Sequence, residues 1–434
     1  MKTTKRLRIA IASALLAACM LLMSSCGMLL PSLMPSGDSD SEYITREELE
    51  SLLGGKENIT PSAPGDEYNI TITPNSQSNL LAASKALLSV VSIYCNFKMD
   101  YTIGFGPNSY VTTKDYSSAG SGVIYKLDKT TGDAYIITNY HVVYDASSNT
   151  ANGVSNDISI YLYGQETKDY KIPAVYVGGS MQYDLAVLKV TGSNVLKASN
   201  AAAVTVADSN DIAVLETAIV IGNPEAGGIS ATVGNVNVDS EYITMTGADN
   251  KTAVQLRVIR TDAAVNSGNS GGGMFNDKGE LIGIVNAKMA SSSIDNIGYA
   301  IPSNIAKYIT ENILFYCDGK DAECVYRCIL GISLEAEKSY TEYDTVTGKV
   351  HKIEKVVISE VTEGGIAKGS LEAGDVINSI TIDGVKYDVT RIYNVVDSML
   401  NARVGSSVVF NIERNGVKTN VNLSVTEATL TPYK

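Results

Sequence analysis

Asn266-Ser267-Gly268-Asn269-Ser270-Gly271-Gly272 sets a serine among glycines, and its reading governs the rest of the chain. Glycines let the backbone turn sharply, so the amides of Gly268 and Ser270 can point into one small volume, with Asn269 setting the turn between them. Acyl transfer needs that combination: a hydroxyl to attack a carbonyl, and fixed N–H donors for the oxygen that becomes negative. A plain glycine-serine turn has the same composition, so the reading depends on whether a base can be found.

A serine hydroxyl at its free pKa is a weak nucleophile and needs that base beside it. The chain has 2 histidines, which makes the search short. His141 follows the strand-like run Ala134-Tyr135-Ile136-Ile137-Thr138, in the segment Thr138-Asn139-Tyr140-His141-Val142-Val143. His351 lies in a charge-rich stretch and reads as a solvated surface residue. For the carboxylate that orients a base, Asp184 stands out. In Tyr183-Asp184-Leu185-Ala186-Val187-Leu188 it opens an otherwise apolar strand. An unpaired carboxylate buried there would be costly, so an imidazole N–H is its natural partner. Taken singly, each residue also fits a plainer role: a core histidine, or an aspartate bonded to nearby amides.

Together the three fall in the order His, Asp, Ser, the chain order that goes with a double β-barrel. Further pieces stand in register. Gly120-Ser121-Gly122-Val123-Ile124 precedes the histidine strand, while Ile221-Gly222-Asn223-Pro224 and Gly298-Tyr299-Ala300-Ile301-Pro302 bracket the serine segment. With Thr261-Asp262-Ala263-Ala264-Val265 leading into that segment, residues 85–315 resemble the HtrA (Deg) branch of the trypsin-like serine proteases. The resemblance implies two six-stranded barrels with His141, Asp184 and Ser270 in the cleft between them. It implies that Ser270 attacks a peptide carbonyl, His141 takes and returns the proton, and Asp184 fixes the tautomer. Gly268, Asn269 and Ser270 then form the oxyanion hole. In this fold the primary pocket is shaped by residues just before the nucleophile and by the strand after it, here Ala263, Ala264, Val265 and Asn286-Ala287-Lys288. Ala264 stands six residues before Ser270, where a protease specific for basic residues would carry an acid. The expected preference is therefore for small or medium aliphatic side chains. Relatives of this kind are commonly trimers, and a homotrimer is possible here.

Two positions depart from the family pattern. Gly273 stands where proline usually follows the Gly-Gly after the nucleophile, and Ser267 stands where proline is common. Losing both predicts a looser loop, one that orders only on activation or works slowly.

The expected architecture is mainly β: a trypsin-like double barrel followed by a PDZ-like α+β domain, after an N-terminal export signal or anchor and a flexible linker. Residues 1–30 form the signal or anchor, 31–77 a linker rich in Ser, Pro, Gly, Asp and Glu, 78–318 the protease domain, and 329–430 the second module. Residues 78–91 read as a helix, and 303–315 as a second one capped by Ser303. Between them the pattern is strand after strand, with Gly, Asn and Asp at the turns.

The second module resembles a PDZ domain of the HtrA kind. Leu330-Gly331-Ile332 is similar to the loop whose amides receive a peptide's terminal carboxylate, and Leu371-Glu372-Ala373-Gly374-Asp375-Val376-Ile377 to the family's Gly-Asp turn. Residues 388–402 read as the groove helix, and 408–413 with 417–425 as a closing hairpin. Such a module binds by β-augmentation, an extended peptide adding a strand beside Ile332-Ser333-Leu334. Residues 335–352 are long and polar for a connection there and are expected to cover or extend the groove. An unrelated small β-rich domain is the alternative.

The leader carries Lys2, Lys5, Arg6 and Arg8 before an apolar run from Ile9 to Met23. Met23-Ser24-Ser25-Cys26-Gly27 resembles a bacterial lipoprotein cleavage box, with Leu16-Ala17-Ala18-Cys19 as the alternative. An uncleaved membrane helix is a third reading. Each places the body of the chain in the bacterial cell envelope, outside the cytoplasmic membrane and tethered to it. Export permits disulfides among Cys95, Cys317, Cys324 and Cys328, and buried free thiols are equally open. The formal charge of −13 argues against nucleic acid as a partner. No metal, nucleotide or flavin is called for, since the spacing of Cys317, Cys324 and Cys328 is not that of a zinc site and no glycine-rich segment has a phosphate-binding setting. The partners implied are unfolded envelope proteins as substrates and peptides presenting free C-termini. A catalytically weak peptide-binding or stress-sensing module is the competing function.

Overall fold

A computed structural model describes residues 78–105, 109–289, 297–319 and 325–433. The leader with Cys19 and Cys26, the linker to residue 77, and Cys324 lie outside these residues.

Helix α1 (Ser78–Leu87) is shorter than its sequence suggests, because the β-branched pair Val90-Val91 turns the chain into strand β1 (Val90–Ile103). After it come β2 (Tyr110–Asp128), β3 (Asp133–Thr138), the one-turn helix α2 (Tyr140–Val143), β4 (Asp157–Leu162), β5 (Ile172–Ser180) and β6 (Leu185–Val190). These six strands close into a barrel in the order β1-β2-β3-β6-β5-β4. A short helix α3 (Asn194–Ala198), capped by Ser193, leads to the second barrel. Its strands are β7 (Thr217–Gly222), β8 (Ser230–Thr246), β9 (Ala253–Thr261), β10 (Gly273–Phe275), β11 (Leu281–Val285) and β12 (Gly298–Pro302), closed as β10-β11-β12-β9-β8-β7.

Helix α4 (Ser303–Tyr316) seals both barrels. Ile137, Leu185 and Val187 of the first barrel share one core with Ile219, Ile221, Ile284 and Ile301 of the second, and α4 adds Ile305, Ile309 and Ile313. Each such side chain contributes about 1.5–3 kcal/mol on burial, so the barrels are welded and the cleft between them has rigid walls. Ser303 does not cap α4 as its sequence position suggests. Pro302 occupies the N-cap, and the Ser303 hydroxyl donates instead to the Ala207 carbonyl at 2.8 Å.

The C-terminal module begins with β13 (Val325–Cys328) and continues through β14 (Ile332–Tyr343), β15 (Val350–Val361), β16 (Val376–Ile382), β17 (Val385–Asp388), helix α5 (Ile392–Ser398), β18 (Ser407–Arg414), β19 (Val417–Ser424) and β20 (Leu430–Tyr433). Its sheet runs β14-β15-β16-β18-β19 over a core of Ile358, Ile380, Val395, Phe410 and Leu423. The buried Asp375 of the Gly-Asp turn is held at 2.7 Å by both Nε and Nη2 of Arg414. Residues 335–352 form most of a hairpin of two 12-residue strands and extend the groove strand. The far end of that hairpin docks beside the second barrel, where Lys349 Nζ meets Asp211 at 3.1 Å and Glu216 at 2.7 Å.

Two further contacts join the parts. The Arg257–Asp397 pair at 2.5 Å is buried between β9 and α5, with Tyr393 stacked on the guanidinium. Strands β13 and β20 pair in the register Val325↔Tyr433, and Tyr433 packs on Tyr183 with Arg327 over both rings. Cys95 and Cys328 are buried free thiols, and Cys317 is buried as well. Burial pushes Cys95 up to about 12 and Cys328 up to about 11, which makes both inert.

Candidate active site

Strands β3 and β6 pair with Thr138 opposite Ala186, so the residues just beyond that register, His141 on α2 and Asp184 before β6, meet at one end of the sheet. His141 Nδ1 lies 2.6 Å from Asp184 Oδ2, and the His141 backbone N–H donates to Asp184 Oδ1 at 3.0 Å. A carboxylate only accepts, so the proton sits on Nδ1 and Nε2 is left as the acceptor, the tautomer a general base needs. Asp184 has φ +49°, a left-handed conformation that an aspartate rarely adopts without a reason. Two buried asparagines hold it: Asn139 Nδ2 donates to its carbonyl at 2.8 Å, and Asn286 Nδ2 to its Oδ2 at 2.6 Å.

Asn286 and Ala287 follow β11 and join this corner to the serine. Asn286 bonds Asp184, while the next amide, Ala287 N–H, donates to Ser270 Oγ at 3.1 Å. Among the described residues no hydrogen bond joins Ser270 Oγ to His141. The hydroxyl therefore rests on the Ala287 amide.

The loop before the nucleophile is fixed through its carbonyls. Ser267 O accepts from Glu225 N–H at 2.8 Å, Gly268 O from Ser121 Oγ at 2.7 Å, Asn269 O from Gly272 N–H at 2.9 Å, and Ser270 O from Ser121 N–H at 2.8 Å. In a trans peptide the N–H points away from its carbonyl, so these bonds also fix the directions of the Gly268 and Ser270 amides. Neither amide donates to an acceptor among the described residues, whereas Asn269 N–H is spent on the Asn266 carbonyl. Gly268 has φ +93°, and a Cβ there would run into the Asn223 carbonyl, so only glycine fits.

The pocket residues divide. Val265 is half-buried, and a Cβ added at Gly298 would lie 2.6 Å from its Cγ2, so these two positions face each other closely. Ala263 is buried and Ala264 exposed. Asn286, expected in the pocket wall, has its side chain turned to Asp184 instead. Lys288 is exposed, and its amine donates to the Gly247 carbonyl at 2.9 Å. Gly273 also has a packing reason that its sequence position hides. It lies in β10, where a Cβ would collide with the Phe275 ring, so the missing proline reflects a filled space as well as a freer backbone.

Leu330, Gly331 and Ile332 open a groove of about 360 Å³ walled by Val395, Val396 and Met399 on and after α5. The carbonyls of Ile329, Leu330 and Gly331 accept from the amides of Ile366, Ala367 and Thr362. Gly331 has φ +73°, with Gly365 packed against it. His351 is half-buried and sits 3.8 Å from Asp211, so it is an interdomain contact and not a solvated residue.

The family description "Trypsin-like peptidase domain" matches residues 120–284, and "PDZ domain" matches residues 328–425. Serine protease Do-like HtrA of Lactococcus lactis subsp. lactis is 31% identical over 368 residues, covering 80% of this chain and 82% of that protein. Periplasmic serine endoprotease DegP of Escherichia coli K12 is 27% identical over 412 residues, covering 93% of this chain and 78% of that protein. A solved structure of the HtrA-type protease AlgW with tripeptide is 28% identical and covers 82% of this chain and 97% of its own, with a TM-score of 0.49. Paired closed barrels with the peptidase signature define a trypsin-like serine endopeptidase. Within that class, the chain belongs to the HtrA family and carries a C-terminal PDZ domain.

Sequence reasoning missed Ser121 and Asn223 as neighbours of the nucleophile loop, although both lie in quoted motifs. It also missed Asn286 as a partner of Asp184. Their positions carried a signal, but their contacts are made between segments some hundred residues apart, which no local pattern shows.

Proposed function

We propose that this endopeptidase acts outside the cytoplasmic membrane, tethered by its leader, and hydrolyses unfolded envelope proteins through Ser270, His141 and Asp184. The observation that carries the reading is the His141–Asp184–Asn286 chain, linked through Ala287 to a serine whose loop leaves the Gly268 and Ser270 amides unbonded among the described residues. In this scheme Ser270 attacks the peptide carbonyl and its proton passes to His141 Nε2. The Gly268 and Ser270 amides hold the oxyanion, and Asp184 stabilises the imidazolium that forms. His141 then returns the proton to the leaving amine, and water hydrolyses the acyl-enzyme by the same route. The close approach of Val265 and Gly298 supports cleavage after small aliphatic residues. The Leu330–Ile332 loop and its apolar groove support capture of peptide C-termini with an apolar last side chain. Periplasmic location in the relative DegP, together with the basic-apolar leader, supports the envelope compartment.

The test is cleavage of denatured casein by the full chain and by Ser270→Ala, each with and without a peptide ending in an apolar residue. Loss of cleavage in the variant is the expected result, and stimulation by peptide assigns the PDZ domain a regulatory role. Cleavage that survives Ser270→Ala overturns the assignment. A second reading, a weak protease that mainly senses peptides, is favoured by one observation, the Ser270 hydroxyl resting on Ala287 instead of His141. Wild-type silence in every condition would select it.

A further inference from the structure

Ser121 is a fully buried serine on β2 of the first barrel, yet its polar atoms all serve the second barrel or the segment leading to His141. Its hydroxyl donates to Gly268 O at 2.7 Å and accepts from Asn223 N–H at 2.8 Å. Its own N–H donates to Ser270 O, and its carbonyl accepts from Thr138 Oγ1 at 2.7 Å. One residue thus ties the loop ahead of the nucleophile, the nucleophile itself, the Asn223-Pro224-Glu225 turn and the approach to the histidine.

The hydroxyl matters because of what lies on either side of Gly268. A glycine at φ +93° has no side chain to oppose rotation of its two peptide planes. The preceding plane, which carries the Gly268 N–H, is held by Glu225 N–H on Ser267 O. The following plane is held by Ser121 Oγ on Gly268 O. Glu225 has φ +52°, and its turn is fixed in part by Asn223, whose N–H is the second group on Ser121 Oγ. Both planes therefore depend, directly or through Asn223, on a single hydroxyl. Between Asn266 and Gly273 the chain carries no proline to stiffen this stretch.

We infer that Ser121 is a positioning residue of the oxyanion hole, its hydroxyl holding the Gly268 peptide so that the Gly268 N–H faces the developing oxyanion. The inference rests on the endopeptidase reading of Ser270. Removing the hydroxyl leaves Gly268 O and Asn223 N–H buried without a partner and frees the loop to turn. Substrate binding does not use this bond, because it touches neither the Val265 pocket nor the PDZ groove. The transition state does.

The experiment compares the full chain with Ser121→Ala, Ser121→Cys and Ser270→Ala. Readouts are kcat and KM on a peptide with alanine or valine before the scissile bond, and inhibition by a peptidyl trifluoromethyl ketone, whose serine adduct carries an oxyanion. Ser121→Ala is expected to lower kcat by about tenfold to a hundredfold, the range for one lost buried bond plus its unsatisfied partners. KM stays within about twofold, and the ketone weakens by the same factor as kcat. Ser121→Cys, with a weaker donor of similar shape, falls between, and it carries the test alone if the alanine variant does not fold. An unchanged kcat in the alanine variant overturns the inference. So does a loss that appears in KM and in peptide binding to the groove equally, which marks general loosening. Activity that persists in Ser270→Ala overturns the endopeptidase reading itself, whatever Ser121 does.

Discussion

Two loops in this chain are proposed to present backbone amides to an oxygen anion, and they are held in different ways. In the Ser267–Ser270 loop the carbonyls are latched by partners from three segments of two barrels, and one latch is a side-chain hydroxyl. In the Ile329–Ile332 loop the three carbonyls are latched by backbone amides of 362, 366 and 367, all within the PDZ domain. The first loop is proposed to meet a charge that exists only in the transition state, the second a carboxylate that is always there. A permanent anion can help order the loop that binds it. A transient one cannot, so its loop has to be set in advance by the fold.

Four substitutions test that contrast, taken here from the largest expected effect down. Asp184→Asn leaves both loops alone and alters the base. An amide at that position presents an N–H to His141 Nδ1 and selects the wrong tautomer, so kcat should fall by about 10⁴-fold with peptide binding to the groove unchanged. Gly268→Ala strikes the catalytic loop, where a Cβ meets the Asn223 carbonyl and φ is +93°. The expected loss is about 10²–10³-fold in kcat, measured on a short peptide, again with normal groove affinity. Asn286→Ala removes a 2.6 Å bond to the Asp184 carboxylate. A charge-assisted bond of this kind contributes about 1.5–3 kcal/mol, so kcat should drop by about tenfold to a hundredfold. Gly331→Ala is the counterpart in the second loop. At φ +73°, with Gly365 Cα 2.7 Å from the new Cβ, it should cost about tenfold in peptide affinity by calorimetry while basal hydrolysis persists. If Gly331→Ala lowered basal hydrolysis as much as Gly268→Ala, the two loops would not be separate devices.

The catalytic segments were legible because each is a short motif in a recognisable order, and the strand pattern around them alternates or runs apolar. His141, Asp184 and Ser270 could each be named before any fold was known. What holds them could not. Asn286 reads as a pocket residue from its place after β11, and only the folded chain turns its amide to Asp184. The β14–β15 hairpin passed for a connection because most of β14 is exposed on both faces, which erases the alternation that marks a strand. Ser303 satisfied a capping rule, but a carbonyl from a distant segment, Ala207, took its hydroxyl.

The small sheet of β13 and β20 bears on the order in which the molecule assembles. Its strands are four residues each, and everything between them is the PDZ domain, so their pairing closes a loop of about a hundred residues. Thr431 and Tyr433, which line the groove, arrive from the later strand. As the chain emerges from the ribosome, both catalytic barrels are complete while the groove still lacks one wall. For a time, then, each new molecule has a cutting edge and no finished handle. The Tyr183–Tyr433 contact, one residue from Asp184, joins the finished handle to the edge.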